Sequence, residues 1–440
     1  VQAGKRSALL FPIHLEARKP RALFLSSYPP RECGLATFTE DIRGAYDIAT
    51  GQSSDIIAVN DGPTPYAYPE AVRCEIQRDD RISYLRAARF ASEHECDVVN
   101  VQHEYGLFGG DHGSYMLDFL SAVRKPVVLT LHTALPDPDE RLHAVTRELC
   151  NRSDRIVVLA YSGRRILEEQ YGIDPRKVDV ILHGVPDVPL RRSYHFKRRF
   201  GLADRTVLST FGLLSRGKGI EYVIDALPAI FSQNPEAVYL LLGETHPEVR
   251  RREGESYREE LWQRVRGLGL ANRVRFLDHY MDDEEVVEYL QATDIYVSPS
   301  LDPNQIVSGT LSYAVACGRA VVATASTYAK ELLADGRGAI VPMRNSQSIA
   351  ASVNAILGDP SMRASIETTA YRFGRGMTWS RVARQYERAF EQAQELEPTH
   401  VPSHAAGGVE RAASAVWGEA LQRQVGTLVA QATEGGSGRN

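Results

Sequence analysis

Cysteine is scarce and scattered in this chain of 440 residues. The five present (Cys33, Cys74, Cys96, Cys150 and Cys317) are odd in number and form no C-x-x-C pair. That excludes a disulfide framework and a zinc knuckle, and suits a reducing, cytoplasmic setting. No cluster of His, Cys, Asp and Glu shows metal-ligand spacing, so no metal is expected. No apolar run is long enough to span a membrane. The apolar opening at 8–13 is too short, and lacks the small-residue cleavage site that a signal peptide carries. Positive charge is not in excess: 51 Lys and Arg against 56 Asp and Glu leave a net −5. Nucleic acid is therefore not an expected partner. There is no repeat of solenoid period.

What is present is the composition of a globular protein with sizeable cores, 43% apolar and 24% charged. From residue 21 onward, short apolar runs alternate with helical patterns. Strands are expected at 22–26, 55–59, 98–102, 127–131, 155–159 and 178–181. After a break at Pro186, Pro189 and the basic run 191–199, read as a linker, a second series follows at 207–211, 238–242, 274–277, 295–297, 320–323 and 339–341. Continuous apolar strands separated by helices imply parallel sheets covered on both faces. The fold class is thus α/β, two Rossmann-like doubly wound domains facing a cleft, with a C-terminal helical tail. Expected boundaries are 1–188, 189–376, a helix in 377–397 packing back on the first domain, and a linker and tail helix in 398–440. That tail is a candidate for oligomer contacts.

In such sheets ligands gather at the carboxyl ends of strands. The stretch 204–219 runs from a strand into a loop of small residues (Gly212, Ser215) carrying Arg216 and Lys218, then into a helix. Backbone N–H groups at a helix start beside a lysine are what a phosphate needs. After the 295–297 strand, Ser308, Gly309 and Thr310 open another helix and offer amides and hydroxyls to an anion, although Ser308 also fits the plain part of an N-cap. Together the corners predict a diphosphate pocket.

These segments resemble a retaining glycosyltransferase of family 4 with the GT-B fold, over about residues 21–394. Residues 211–219 (FGLLSRGKG) are similar to the family's G-R-L-x-x-x-K-G loop, and 294–300 (DIYVSPS) to its A-D-x-x-x-x-P-S strand. Residues 314–324 (AVACGRAVVAT) match E-A-M-A-x-G-x-P-V-V-A-T without the glutamate, and 331–338 (ELLADGRG) match E-x-x-x-D-G-x-x-G one residue short. In the first half, 162–184 fits the S-x-x-x-x-L-x-x-x-Y-G…K-V-x-V-I-x-x-G stretch. The family's paired donor-site glutamates fall on Gln305 and Tyr313, and its phosphate-binding arginine on Leu213. Lys218 keeps its place.

The resemblance implies an atypical donor site. Asn304 and Gln305 would hold the sugar, since amides both donate and accept. Arg216 would replace the missing guanidinium, Thr310 would meet a phosphate, and Tyr313 would offer a hydroxyl to the ribose. Gly34 and Leu35 lie where the family's glycine loop closes over the donor phosphates, with Thr37 as a possible cap. His132 lies where the family places a histidine near the donor sugar. Glu244 lies where the base or ribose would sit, and His103 and Glu104 form an acceptor-side wall. The implied activity is metal- and cofactor-independent transfer of a hexosyl group from a nucleotide-diphosphate sugar to a sugar or glycan, with the anomeric configuration retained. Lys218, Arg216 and His132 carry the chemistry in this reading. A sugar phosphorylase of the same architecture, to whose S-G-T Ser308–Thr310 is similar, and a non-catalytic sugar-binding protein on this scaffold are the rival readings.

Overall fold

The computed structural model describes residues 18–62 and 64–395. The apolar opening at 8–13, the 398–407 linker, the 409–433 helix and its assembly role lie outside the described residues. Strands β1 (Ala22–Ser26), β2 (Asp55–Asn60), β3 (Val72–Gln77), β4 (Val98–His103), β5 (Val127–Leu131), β6 (Arg155–Val158) and β7 (Val178–Val180) form one sheet, in the order β3-β2-β1-β4-β5-β6-β7. Strands β8 (Thr206–Phe211), β9 (Ala237–Leu242), β10 (Val274–Leu277), β11 (Ile295–Ser298), β12 (Ala320–Thr324) and β13 (Ala339–Val341) form another, ordered β10-β9-β8-β11-β12-β13. Pairing between neighbours is parallel in both. Central strands such as β4 and β5 are buried throughout, as helices on both faces require.

Strand β3 was not expected. Its sequence VRCEIQ alternates polar with apolar and only Ile76 is buried. An edge strand buried on one side lacks the continuous apolar run that betrays its neighbours. The basic run 191–199 also differs from a plain linker: Tyr194–Lys197 is helical, and Lys197 is buried against Asp294.

The strand order reverses direction at β1/β4 and at β8/β11. Those are the switch points where loops diverge and leave a crevice. The chain then returns: the helix Trp379–Glu395 buries Val382, Tyr386 and Phe390 against Phe24 and Tyr46 of the first half. Full burial of each such side chain stabilises this contact by about 1.5–3 kcal/mol. Smaller bridges also join the halves. The Glu331 carboxylate accepts from the amides of Tyr161 and Ser162 at 2.8 and 2.9 Å, capping a helix of the other half. Thr37 and Tyr280 share a hydrogen bond of 2.9 Å between their hydroxyls.

Candidate active site

Loops after both switch points line one cleft of about 560 Å³. Gly34 and Leu35 open the helix Gly34–Thr50, which starts earlier than the sequence reading near 37. Its cap is the Cys33 thiol, which accepts from the Ala36 amide at 3.4 Å, rather than Thr37. The helix Gly309–Ala316 starts on the opposite wall, capped by Ser308 through the Leu311 amide. The first amides of both helices have no acceptor within their own helix.

The loop after β8 lines the same cleft. Gly212 adopts φ 134°, and a Cβ there would lie 3.5 Å from the Thr310 methyl and 3.6 Å from the Lys218 ammonium. Gly243, after β9, must be glycine too: a Cβ would meet the Gly212 carbonyl oxygen at 2.6 Å. The Lys218 ammonium lines the cleft and makes no ion pair or hydrogen bond among the described residues. Burial lowers its pKa. An unpaired ammonium beside the open amides of helix starts is the arrangement that attracts an anion.

His132 lines the same cleft, and its tautomer can be deduced. Asn100 Nδ2 donates to the Val128 carbonyl, so its Oδ1 is left to accept from Gln102 Nε2 at 2.5 Å. Gln102 Oε1 must then accept, and His132 Nε2–H donates to it at 2.7 Å. Nδ1 is left as an acceptor. Burial, and then His183, hold the imidazole down to about 3. His132 is therefore neutral at working pH, with Nδ1 able to accept a hydrogen bond. We predict that kcat/KM shows no imidazole ionisation between pH 5 and 8. His132→Ala should lower kcat about tenfold or more while nucleoside diphosphate affinity stays within about threefold; unchanged kinetics would make it structural.

His103, His132 and His183 all have depressed pKa values, of about 3, 3 and 4, through burial. Unfolded histidine titrates near 6.5, so the unfolded chain binds more protons below that value. Their stabilisation is complete above about pH 6.5 and is lost as pH falls toward their folded values. Denaturation midpoints measured from pH 7 to 4.5 should fall accordingly.

Four sequence assignments change. The Arg216 guanidinium points away from the cleft, to Glu260 at 2.6 and 2.8 Å and Glu253 at 3.3 Å, so it does not replace the family arginine. His103 is fully buried, stacked on Phe108, and both ring nitrogens lack partners; it does not reach an acceptor. The Tyr313 hydroxyl donates to Asp283 and Asp41 at 2.9 and 3.2 Å, and is not free for a ribose. The Ser308 hydroxyl, too, serves its helix and Thr310.

The other expected residues, Glu104, Ser215, Glu244, Asn304, Gln305, Gly309 and Thr310, line the cleft with Gly34, Leu35, Gly212, His132, Tyr313 and Lys218. Glu104 is held by the Thr133 hydroxyl at 2.7 Å, and burial raises its pKa. Glu244 pairs with Arg250 through one oxygen, while its buried Oε1 has no partner. The sequence reading missed Asp41, His183 and Asp283, which also line the cleft. Only His183, just after β7, stood near a strand end where it could have been noticed. Among the described residues, no three His, Cys, Asp or Glu are placed to hold a metal, and no helix is long and apolar enough to cross a membrane.

Comparison with known proteins agrees with this architecture. Residues 46–187 match the family model described as Glycosyltransferase Family 4, and residues 205–359 the one described as Glycosyl transferases group 1. The phosphatidyl-myo-inositol mannosyltransferase of Mycolicibacterium smegmatis is 26% identical over 317 residues, 70% of this chain and 74% of that protein. A D-inositol 3-phosphate glycosyltransferase of Geodermatophilus obscurus is 27% identical over 323 residues, covering 70% and 69%. In fold, the chain is similar to Anabaena HepE in complex with UDP (TM-score 0.68, 21% identity, 84% of this chain and 99% of that one). It is also similar to sucrose-phosphate synthase from Thermosynechococcus elongatus (TM-score 0.70, 18% identity, 84% and 98%). Two parallel sheets facing a cleft with a returning C-terminal helix are the GT-B fold, and both family models make the chain a glycosyltransferase. The chain belongs to glycosyltransferase family 4.

Proposed function

We propose that this enzyme moves a hexosyl group from a nucleotide-diphosphate sugar to a sugar or glycan hydroxyl, without a metal and with retention at the anomeric carbon. The observation that carries this reading is the unpaired Lys218 ammonium in a cleft lined by the starts of two helices from opposite halves. Breaking the bond from anomeric carbon to phosphate oxygen develops negative charge on the diphosphate. Lys218 and the amides of Gly34, Leu35, Gly309 and Thr310 supply fixed positive potential there, needing no reorganisation during reaction. The named relatives, acting on inositol compounds, and the UDP-bound HepE support a nucleotide sugar as donor and add polyol phosphates to the acceptors worth testing.

His132, neutral and accepting through Nδ1, would fix a donor-sugar hydroxyl. Asn304 and Gln305, whose side-chain amides have no partner among the described residues, would hold others. In a retaining reaction the acceptor enters on the leaving group's face, and the departing phosphate takes the acceptor proton. The cleft's role is to orient both partners and exclude water. The test is a screen of UDP, GDP and ADP sugars with candidate acceptors, in buffer containing EDTA, with the product anomer read by NMR. Nucleoside diphosphate release and an unchanged anomer are expected. An inverted product would sink retention, loss of activity in EDTA would sink metal independence, and phosphate-driven cleavage would point to a phosphorylase.

A further inference from the structure

The cleft sets five carboxyls against a single permanent cation. Among the described residues that line it, Asp41, Glu104, Glu244, Asp283 and Asp302 carry the carboxyls, Lys218 is the cation, and arginine is missing. Lys218 belongs to the second half, and in the proposed reaction the donor diphosphate takes it. A bound diphosphate brings more negative charge than one ammonium offsets, so the occupied cleft has no positive charge to spare.

With the donor phosphates on the second half, the acceptor stands against the first. The titratable lining there is Asp41, Glu104, His132 and His183. Burial holds His132 and His183 down at about 3 and 4, so both stay neutral, and burial raises the Glu104 carboxyl. The two Glu104 oxygens accept from the Tyr105 amide at 3.0 Å and the Thr133 hydroxyl at 2.7 Å. Those bonds favour the charged form, yet dehydration outweighs them. A wall that resists charge on its own carboxyl and imidazoles resists it on a ligand too.

Arginines follow β1, β3 and β5 of the first sheet, but each is taken. Arg31 pairs with Asp61 at 3.3 Å, Arg78 with Asp79 at 3.0 Å, and Arg141 with Asp111. None of the three lines the cleft. A phosphorylated acceptor seated on this wall would hold a dehydrated anion with no cation to balance it. Hydroxyls bring no charge and can meet the carboxyl oxygens and His132 Nδ1.

We propose that the acceptor of this enzyme is an uncharged sugar or polyol, that phosphorylated acceptors are excluded, and that Glu104 is a specificity-determining residue for that choice. This rests on the reading of the cleft as a nucleotide-sugar site. Glu104 acts in either protonation state: ionised, it repels an acceptor phosphate; neutral, it supplies no charge to balance one.

The experiment measures kcat/KM for matched acceptors, hexoses with their phosphate monoesters and myo-inositol with D-inositol 3-phosphate, using the donor that the nucleotide-sugar screen selects. In each pair that reacts, the unphosphorylated member is expected to lead by about tenfold or more. Two variants are then compared with wild type, after their melting temperatures are checked. Leu135→Lys puts an ammonium on the same wall, at a half-buried residue whose contact with the Tyr171 hydroxyl is made by its backbone carbonyl. It should shift the preference toward the phosphorylated member by about tenfold or more. Glu104→Gln keeps the side chain's shape and should shift it the same way by about threefold. Nucleoside diphosphate affinity should stay within about threefold in both, since Lys218 is untouched. Wild type using a phosphorylated member as well as its neutral counterpart, or better, would overturn the proposal, as would an unchanged preference in both variants. Either result leaves the nucleotide-sugar reading intact. Failure of wild type to bind any nucleoside diphosphate would overturn both.

Discussion

Lys218→Ala is expected to lower kcat/KM with a nucleotide sugar by about 100- to 1,000-fold, the usual cost of losing one group that stabilises developing negative charge. An ammonium about 4 Å from a phosphate oxygen contributes about 4 kcal/mol at an effective dielectric near 20, whereas a helix start contributes about 0.3–2 kcal/mol. Lysine thus outweighs either helix start taken alone. It makes no ion pair in the described structure and is half-buried, so its removal should cost no stability. Steady-state kinetics paired with a melting curve separate the two effects. Near-normal kcat/KM in a well-folded variant would remove Lys218 from the site, and with it the diphosphate reading. Arg216→Ala is the control: its guanidinium belongs to Glu253 and Glu260, so activity should stay within about threefold.

The largest effect on stability is expected from Asp294→Asn. Asp294, 3% exposed, stands just before β11 and accepts from Ser193 and Lys197, from the Val207 amide at 2.7 Å, and from Arg363 at 2.7 Å. One carboxylate thereby ties the segment after β7, the start of β8 and the helix Pro360–Gly374 to the centre of the second sheet. Burial works against its ionisation, but Arg363 and Lys197 outweigh it and hold the carboxyl below its ordinary range. Asparagine would leave two cations facing a neutral amide, at a cost of about 3–5 kcal/mol. That corresponds to a fall in melting temperature of about 6–20 °C for a domain of this size. The same linkage gives the pH sign: the contribution is present above the unfolded value near 4 and is lost as pH falls through the folded one. A midpoint within a degree of wild type would show that the cations rehydrate and that the knot contributes little.

Much of the cleft's lining was legible because a βα loop and a helix start are local features. Gly212, Ser215 and Lys218 share one βα loop, and Gly309 and Thr310 share one helix start, so short-range spacing identifies both. Arg216 was illegible for the opposite reason. It lies two residues from Lys218, but the carboxylates that turn it away are 37 and 44 positions along the chain. His103 ends a strand whose next loop folds Phe108 over it, and no local pattern announces that. Asp41, His183 and Asp283 come from three separate elements and acquire meaning only where these meet.

The sequence by itself determined the two parallel sheets and the small-residue loops at their strand ends. A strand buried on both faces must be a continuous apolar run, and a phosphate loop needs glycine and a cation within a few residues. Tertiary structure decided which of the charged and aromatic groups face the cleft. A side chain's partner is chosen by energies acting over a few ångströms in space, between residues that the chain keeps far apart: Tyr313 is paired with Asp41 across 272 positions.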